Sequence, residues 1–261
     1  MQKVKPKKAL GQHFLIDLDI AHRIAATLDD YRGTPVLEVG PGMGVLTRFL
    51  LDAGHNVKVA EIDSESIEYL HNNFDDLPAD NIMECDFLKT ELSKIFPDAD
   101  KICVIGNYPY NISSQIFFHV LESRDLVTCC SGMLQREVAE RIAAPEGTKT
   151  RGILSVLLQA WYDVEYLFTV SEHVFNPPPK VKSGVIRLTR NNVTDLGCDW
   201  RTFRTVVKTT FGQRRKTIRN SLRGLLAPGA PMPESPLLAL RPEQLSVAQF
   251  VELTNLVTSH R

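Results

Sequence analysis

The chain has 261 residues, with 30 Lys and Arg against 31 Asp and Glu, a formal net charge of −1, and 43% hydrophobic residues. That apolar share permits a well-buried core, and the length suits one large domain with a small one, or two ordinary ones. No apolar run reaches the ~20 residues a membrane helix needs, and no signal-type segment follows the basic start, so no membrane contact and a cytoplasmic location are expected.

In chain order, Lys3 to Lys8 is polar, basic and expected to be flexible. Asp17 is a good N-cap, and Ile20, Ile24 and Leu28 recur every four residues, predicting a helix to about Asp29. A strand over Pro35 to Val39 enters Gly40-Pro41-Gly42-Met43-Gly44, and a helix from Val45 to Ala53 stops at Gly54. Val57 to Ile62 is a second strand, and Ser64 is expected to cap a helix with Ile67, Leu70 and Phe74 on one face. Ile82 to Cys85, Ile102 to Ile105 and Leu126 to Leu134 are three further strands. Helices follow from about Glu137 to Ala143 and from Ile153 to Ala160. Strands over Val164 to Val170 and Gly184 to Thr189 flank a proline-rich loop, Phe175 to Val181, with no helical pattern between them.

This alternation predicts an α/β fold with a doubly wound, mainly parallel seven-stranded sheet, the last two strands forming an antiparallel edge. After Asn191 the strand signals vanish. Phe211, Ile218, Leu222 and Leu225 fit one helical stripe, and Val247, Phe250, Val251 and Leu253 a terminal helix. The expected division is a first domain over residues 1–190, including a flexible basic segment 1–9, and a small helical domain over residues 191–261.

The near-zero net charge hides a segregation. Arg201, Arg204, Lys208, Arg214, Arg215, Lys216, Arg219 and Arg223 fall in one stretch without an acidic residue, and four lysines fall in the first eight residues. Such blocks point to contact with a polyanion. A merely solvated helix face is the competing explanation, and structured RNA is preferred over duplex DNA because unpaired bases can be splayed into a pocket. The five cysteines show no metal or disulfide spacing and the histidines no ligand spacing, so a reduced, metal-free protein is expected.

Two stretches carry the chemistry. Gly40, Gly42 and Gly44 let backbone approach a ligand, but Val45 stands where a nicotinamide-binding loop wants its third glycine. Glu61, 21 residues after Gly40 at a strand end, can accept both ribose hydroxyls. Asp86, at the end of the third strand, can take an adenine amino group. Two carboxylates without basic phosphate partners favour an unphosphorylated adenosine ligand such as S-adenosylmethionine. The competing reading is an ordinary strand–helix turn. Ile105-Gly106-Asn107-Tyr108-Pro109-Tyr110 follows the fourth strand, at the sheet edge where ligands bind in open α/β folds. The Asn107 oxygen and the next carbonyl can accept hydrogen bonds from an exocyclic amine. Pro109 fixes the loop, and Tyr110 can stack on an extruded base.

These residues resemble the ribosomal RNA adenine N6,N6-dimethyltransferases over nearly the whole chain. The resemblance rests on Leu10-Gly11-Gln12-His13-Phe14-Leu15, Leu37 to Gly44, the Glu61 strand end, Asp86-Phe87-Leu88, Gly106 to Tyr110 and Gln135-Arg136-Glu137-Val138-Ala139. Val174-Phe175-x-Pro177-x-Pro179-Lys180-Val181-x-Ser183 adds to it, and Phe211-x-x-Arg214-Arg215-Lys216-Thr217-x-Arg219-Asn220-x-Leu222 looks like the KsgA branch rather than the Erm branch. Two positions depart from the family pattern. Tyr108 replaces the usual Leu, at a position that would use only its carbonyl, and His13 stands where many relatives have Asn.

The resemblance implies a Rossmann-like class I methyltransferase with a C-terminal helical RNA-binding domain carrying the eight cations. It implies that His13 and Leu15 close over the cofactor, His13 donating to the methionine carboxylate. Gly40 and Gly42 would contact the methionine moiety, Glu61 with Ile62 the ribose, and Asp86 with Phe87 the adenine. Asn107 would span cofactor and target, Tyr108 would offer its carbonyl, and the target adenine would lie on Tyr110 with Phe175 against its other side or edge. The implied reaction is N6,N6-dimethylation of two adjacent adenines in the 3′-terminal hairpin loop of 16S rRNA, within the immature 30S subunit, by a monomer that turns S-adenosylmethionine into S-adenosylhomocysteine. An Erm-like enzyme for 23S rRNA and an assembly factor acting by binding alone are the alternatives, with a NAD-dependent oxidoreductase a distant third.

Overall fold

A computed structural model describes residues 4–7 and 10–260. Residues 1–3 and 8–9, part of the expected flexible basic segment, lie outside the described residues, as does Arg261. The chain divides into two compact units, one of residues up to Ala139 with Val164–Arg190, the other of Glu140–Asp163 with Asn191–Arg261. The second unit thus begins at Asn191 but also takes in residues 140–163, which the sequence assigned to the first domain.

In the first unit, strand β1 (Phe14–Leu15) leads to helix α1 (Leu18–Ala25), capped by Asp17 through the Ile20 N–H at 3.0 Å. Strand β2 (Val36–Val39), helix α2 (Val45–Asp52), strand β3 (Val57–Glu61), helix α3 (Ser64–Asn73) and strand β4 (Ile82–Glu84) follow. Then come β5 (Ile102–Asn107), α4 (Ser113–Glu122), β6 (Val127–Gln135) and α5 (Arg136–Ala143), which runs into the second unit. The second unit supplies α6 (Ile153–Gln159) and the first two residues of β7 (Tyr162–Val170); the first unit ends with β8 (Phe175–Asn176) and β9 (Ser183–Arg190).

The seven-stranded sheet has the order β4-β3-β2-β5-β6-β9-β7. Strands β4 to β6 pair in parallel, whereas β9 runs antiparallel to β6. Strands β9 and β7 form this edge of the sheet, as expected, with β9 lying between β6 and β7. Val36 to Val39 and Ile102 to Gly106 are buried throughout, as expected of central parallel strands covered on both faces. A second, two-stranded ribbon pairs β1 with β8 antiparallel, Leu15 opposite Phe175.

In the second unit, α7 (Trp200–Gly212), α8 (Ile218–Leu222) and α9 (Val247–Thr258) enclose an aromatic core. Phe250 meets Phe203 edge-on at 6.4 Å and stacks on Phe211 at 6.1 Å. Ser246 and Gln249 form a reciprocal capping box that starts α9. The expected stripe from Phe211 to Leu225 is not one helix. It breaks after Gly212, a weak helix former, and resumes at Ile218, whose N–H is taken by the Leu240 carbonyl at 2.8 Å. Arg151, 1% exposed, ties the corner between α5 and α6 by donating to the Ala144 carbonyl and Gln159 Oε1.

Candidate functional site

At the carboxyl ends of β2 to β5, where the strand order reverses, the first unit holds a cavity of about 260 Å³. Every expected cofactor residue lines it: His13, Leu15, Gly40, Gly42, Glu61, Ile62, Asp86, Phe87 and Asn107. Its floor is the turn from β2 into α2. Gly42 has φ +55, and a Cβ there would stand 2.9 Å from the Phe14 ring, so both conformation and space exclude a side chain.

Three carboxylates face this cavity. Glu61 accepts from the Gly42, Ile62 and Asp63 N–H groups at 3.1, 2.8 and 2.9 Å, which fixes the carboxylate at the tip of β3. Burial pushes its carboxyl above the usual value, and the three backbone donors pull it only part of the way back. Asp86 accepts from the Leu88 N–H at 3.0 Å and pairs with the exposed Lys89 at 3.1 Å. Glu38 is 1% exposed and accepts from the Thr47 hydroxyl at 2.6 Å. Burial raises its carboxyl to about 8, with Thr47 opposing and Glu61 adding to the rise, so at neutral pH it is largely protonated. Glu38 stood in the glycine-turn pattern, but its partner Thr47 was invisible without the helix that brings it back.

Residues 10–15 line this cavity, and the described residues just before them, 4–7, are tied to the body of the first unit. Val4 is buried, and Lys7 forms an ion pair with Asp63 and a 3.1 Å contact with Glu65. The Lys7 N–H donates to Gln12 Oε1 at 2.8 Å, and Gln12 Nε2 donates to Asp63 Oδ2 at 3.1 Å. Asp63, not Ser64, is the N-cap of α3. Burial of its carboxyl is outweighed by hydrogen bonds from Lys7, Gln12 and Ser66, which hold it below the usual carboxylate value. The spacing of Lys7, Gln12 and Asp63 gave no warning of this cluster, because it closes across 51 residues or more.

Asn107 ends β5 beside residues 10–15. Its Nδ2 donates to the His13 carbonyl at 3.0 Å, which leaves its Oδ1 with acceptor capacity. The Tyr108 ring turns into the sheet, where its hydroxyl donates to the Ser131 carbonyl at 2.7 Å. It lies against Gly106 and Gly132; a Cβ at either would come within 2.9 or 2.6 Å of the ring. Tyr110 is half-buried, its hydroxyl 2.6 Å from Ser183 Oγ, and burial raises its phenol despite that bond. Its ring stacks with His13, centroids 5.6 Å apart at 29°. His13 Nδ1 lies 2.8 Å from the Pro177 carbonyl and must donate to it.

Phe175, expected beside the target base, lies in the β1–β8 ribbon. It is 3% exposed, pairs with Leu15 in the ribbon and belongs to the core cluster with Ile24 and Val170. Its pairing partner Leu15 lines the cavity, and Phe175 packs behind it in the core. His13 lines the cavity with its Nδ1 at the Pro177 carbonyl and its ring against Tyr110.

In the second unit the eight cations divide. Arg201, Lys208, Arg215, Lys216, Arg219 and Arg223 are exposed on and after α7. Arg204 lies over the Trp200 ring at 6.0 Å. Arg214 is turned inward to Glu243, at 3.7 Å, and to the Lys149 carbonyl. Among the described residues no group of His, Cys, Asp and Glu is arranged to hold a metal ion, and no helix is long and apolar enough to cross a membrane.

Residues 3–258 match the model of a family described as ribosomal RNA adenine dimethylase. A Parabacteroides distasonis protein named ribosomal RNA small subunit methyltransferase A is 65% identical over 260 residues, covering 100% of this chain and 97% of that protein. Among solved structures, a Plasmodium falciparum dimethyladenosine transferase is similar with a TM-score of 0.75 at 24% identity, over 92% of this chain and 96% of that one. The 23S rRNA methyltransferase ErmE is similar with a TM-score of 0.68 at 26% identity, over 93% of this chain and 99% of the other.

Proposed function

This chain belongs to the ribosomal RNA adenine dimethylase family, and from that membership we propose that its site dimethylates the N6 amines of two adjacent adenines in the 3′-terminal hairpin loop of 16S rRNA. The enzyme is an rRNA adenine methyltransferase, and the small-subunit name of its 65%-identical relative favours this substrate over 23S rRNA. The recipient is the immature 30S subunit, late in its assembly, and the enzyme acts as a monomer.

The observation that carries the reading is the Asn107 carboxamide. Its N–H is committed to the His13 carbonyl, its oxygen is left as an acceptor, and Tyr110 stands next along the loop. The cavity also fits S-adenosylmethionine. Gly42 admits no side chain, Glu61 is held at the strand tip by three N–H groups, and Asp86 is fixed on its own turn. Glu61 with Ile62 would hold the ribose, Asp86 with Phe87 the adenine, and Gly40 and Gly42 the methionine moiety. When bound, S-adenosylmethionine supplies an electrophilic methyl on a sulfonium and leaves as S-adenosylhomocysteine.

The chain's own residues then act mainly by positioning. An N6 lone pair is delocalised into the adenine ring and nucleophilically poor. Asn107 Oδ1 and the Tyr108 carbonyl, by accepting both N6 hydrogens, favour a pyramidal nitrogen whose lone pair points away from them. Holding that geometry can contribute ~7–11 kcal/mol. A carboxamide is no base at neutral pH, so the N6 proton passes to water after transfer. The monomethyl product retains one N–H for a second round. Arg201, Lys208, Arg215, Lys216, Arg219 and Arg223 supply phosphate contacts whose strength falls as salt rises. Arg214 is a brace within its own unit.

The test is transfer of labelled methyl from S-adenosylmethionine to undermethylated small subunits, beside naked large-subunit RNA. N6,N6-Dimethyladenosine in the small subunit alone, abolished by Asn107→Ala, is the expected result. Label in large-subunit RNA would reassign the substrate. Salt-sensitive binding to small subunits without label would leave a docking factor.

A further inference from the structure

We propose that two exposed lips at the rim of the cavity, Ile16 with Leu18 on one and Lys180-Val181-Lys182 on the other, form a docking surface for unpaired RNA flanking the target adenine. The inference deepens the adenine-methylation reading and rests on it.

The large apolar side chains that stand exposed among the described residues are Ile16, Leu18, Ile62 and Val181, at 56, 61, 55 and 46%. Ile62 lines the cavity itself, and the other three lie on two segments that end at its rim. Scattered singly they would need no explanation; gathered round one opening they mark a contact surface. Ile16 follows Leu15, which turns inward opposite Phe175, so alternation along the ribbon puts Ile16 on the outer face. Its N–H is held there by the Val174 carbonyl at 2.9 Å, and Leu18 opens α1 two residues later. The other lip is the exposed part of the loop before β9. That loop is tied at both ends to residues lining the cavity, its Pro177 carbonyl to His13 Nδ1 at 2.8 Å and Ser183 Oγ to the Tyr110 hydroxyl at 2.6 Å.

Charge selects the occupant. Lys180 and Lys182 are exposed on either side of Val181, and neither forms an ion pair among the described residues, although Glu172 acts on Lys182 through space. This lip suits phosphate. The other does not: Asp19 is exposed beside Leu18, and the Asp17 carboxylate is already taken by the Ile20 N–H at 3.0 Å. Ile16 and Leu18 therefore suit base faces and sugar edges. An unpaired loop presents bases and phosphates together, whereas a duplex hides its base faces. Extruding one base also strips a stacking surface from its neighbour, and an aliphatic surface at the rim covers what is uncovered. Three aliphatic side chains fall well short of the ~1,000 Å² that a stable protein interface buries, which sets a second copy of the chain aside.

Ile16→Ser with Leu18→Gln removes the aliphatic lip, and Lys180→Gln with Lys182→Gln the basic one. All four side chains are exposed, so melting temperatures should stay at the parent value. Binding to undermethylated small subunits and to protein-free small-subunit rRNA is measured over a range of salt concentrations, beside methyl transfer and S-adenosylhomocysteine affinity. The aliphatic variant should raise Kd on both RNAs, and KM for subunits, by roughly tenfold, with kcat and S-adenosylhomocysteine affinity within about threefold of the parent. Its salt dependence should match the parent, whereas the lysine variant should lower the log–log slope by roughly one. Unchanged Kd and KM in the aliphatic variant would overturn the proposal. A loss on subunits but not on protein-free RNA would also overturn it, assigning the lips to a protein of the subunit. So would a dimer in sedimentation that the aliphatic variant dissolves. If the unsubstituted enzyme transfers no methyl, the function reading fails, while the binding comparison still decides whether the lips hold RNA.

Discussion

Glu38→Gln tests the electrostatics of the cofactor cavity most directly. The Glu38 carboxyl is 1% exposed, has Thr47 as its hydrogen-bond donor and lies near a second carboxylate, Glu61. Its value rises from 4.5 to about 8. Between these two pH values the folded protein keeps a proton that the unfolded chain has lost. Stability from this group is therefore complete below about pH 4.5 and falls as pH rises toward 8, by ~1.4 kcal/mol per pH unit and up to ~5 kcal/mol in total. Gln accepts the same Thr47 hydrogen bond but does not titrate. Urea unfolding of both proteins from pH 5 to 8.5 should show the variant gaining on the parent by several kcal/mol, the difference levelling above pH 8. Because the comparison is between two proteins at each pH, the opposite slope from Asp63 cancels. The cofactor is a cation, and its arrival should favour the ionised carboxylate. Calorimetry in buffers of different ionisation enthalpy should then detect proton release on S-adenosylmethionine binding at pH 7, absent in the variant. A stability difference constant across the pH range would refute the reasoning.

Three further outcomes follow from the same geometry. Gly42→Ala forces an L-residue to φ +55 and sets a methyl 2.9 Å from the Phe14 ring; a backbone penalty of ~1–2 kcal/mol should appear as roughly tenfold weaker S-adenosylhomocysteine binding by calorimetry. Lys7→Met removes the ion pair with Asp63, and hydrogen exchange at residues 10–15 should quicken while the global melting temperature moves little. Because the Asp63 carboxyl is held below its usual value, that ion pair weakens only in acid, and exchange in the parent should be flat through neutral pH. Replacing Arg215, Lys216 and Arg219 together by Gln should flatten the salt dependence of RNA binding by roughly two to three in log–log slope, whereas Arg214→Gln should lower unfolding stability and leave that slope unchanged.

Much of the fold was legible because its signals are local. Asp17, the glycine turn and the continuous apolar runs of β2 and β5 each specify their element within a few residues. The strand order was not, since no local pattern says that β9 inserts between β6 and β7. Nor was the break after Gly212 visible, because the apolar spacing from Phe211 to Ile218 keeps helical phase across it. At the site, glycines and carboxylates on strand ends could be read from spacing alone. The ribbon that sets Phe175 opposite Leu15 could not, because the two are 160 positions apart in the chain. Nor could the second contact of His13, which offers a carbonyl to Asn107 and a ring to Tyr110 where a motif records only one letter.

The reversed direction of β9 has a consequence for how such an enzyme can change its target. A strand running with the others would begin at the far edge of the sheet. Because β9 runs backward, Ser183 begins beside Gln135, at the edge that also carries Tyr110. The loop before it is thereby delivered to Tyr110 and His13 without crossing the parallel strands whose ends line the cavity. Substitutions between Pro177 and Lys182 can alter what is gripped while Glu61, Asp86 and the glycine turn stay untouched. On the proposed reading, methyl donor and recipient would be held by separate parts of the chain, free to diversify at different rates.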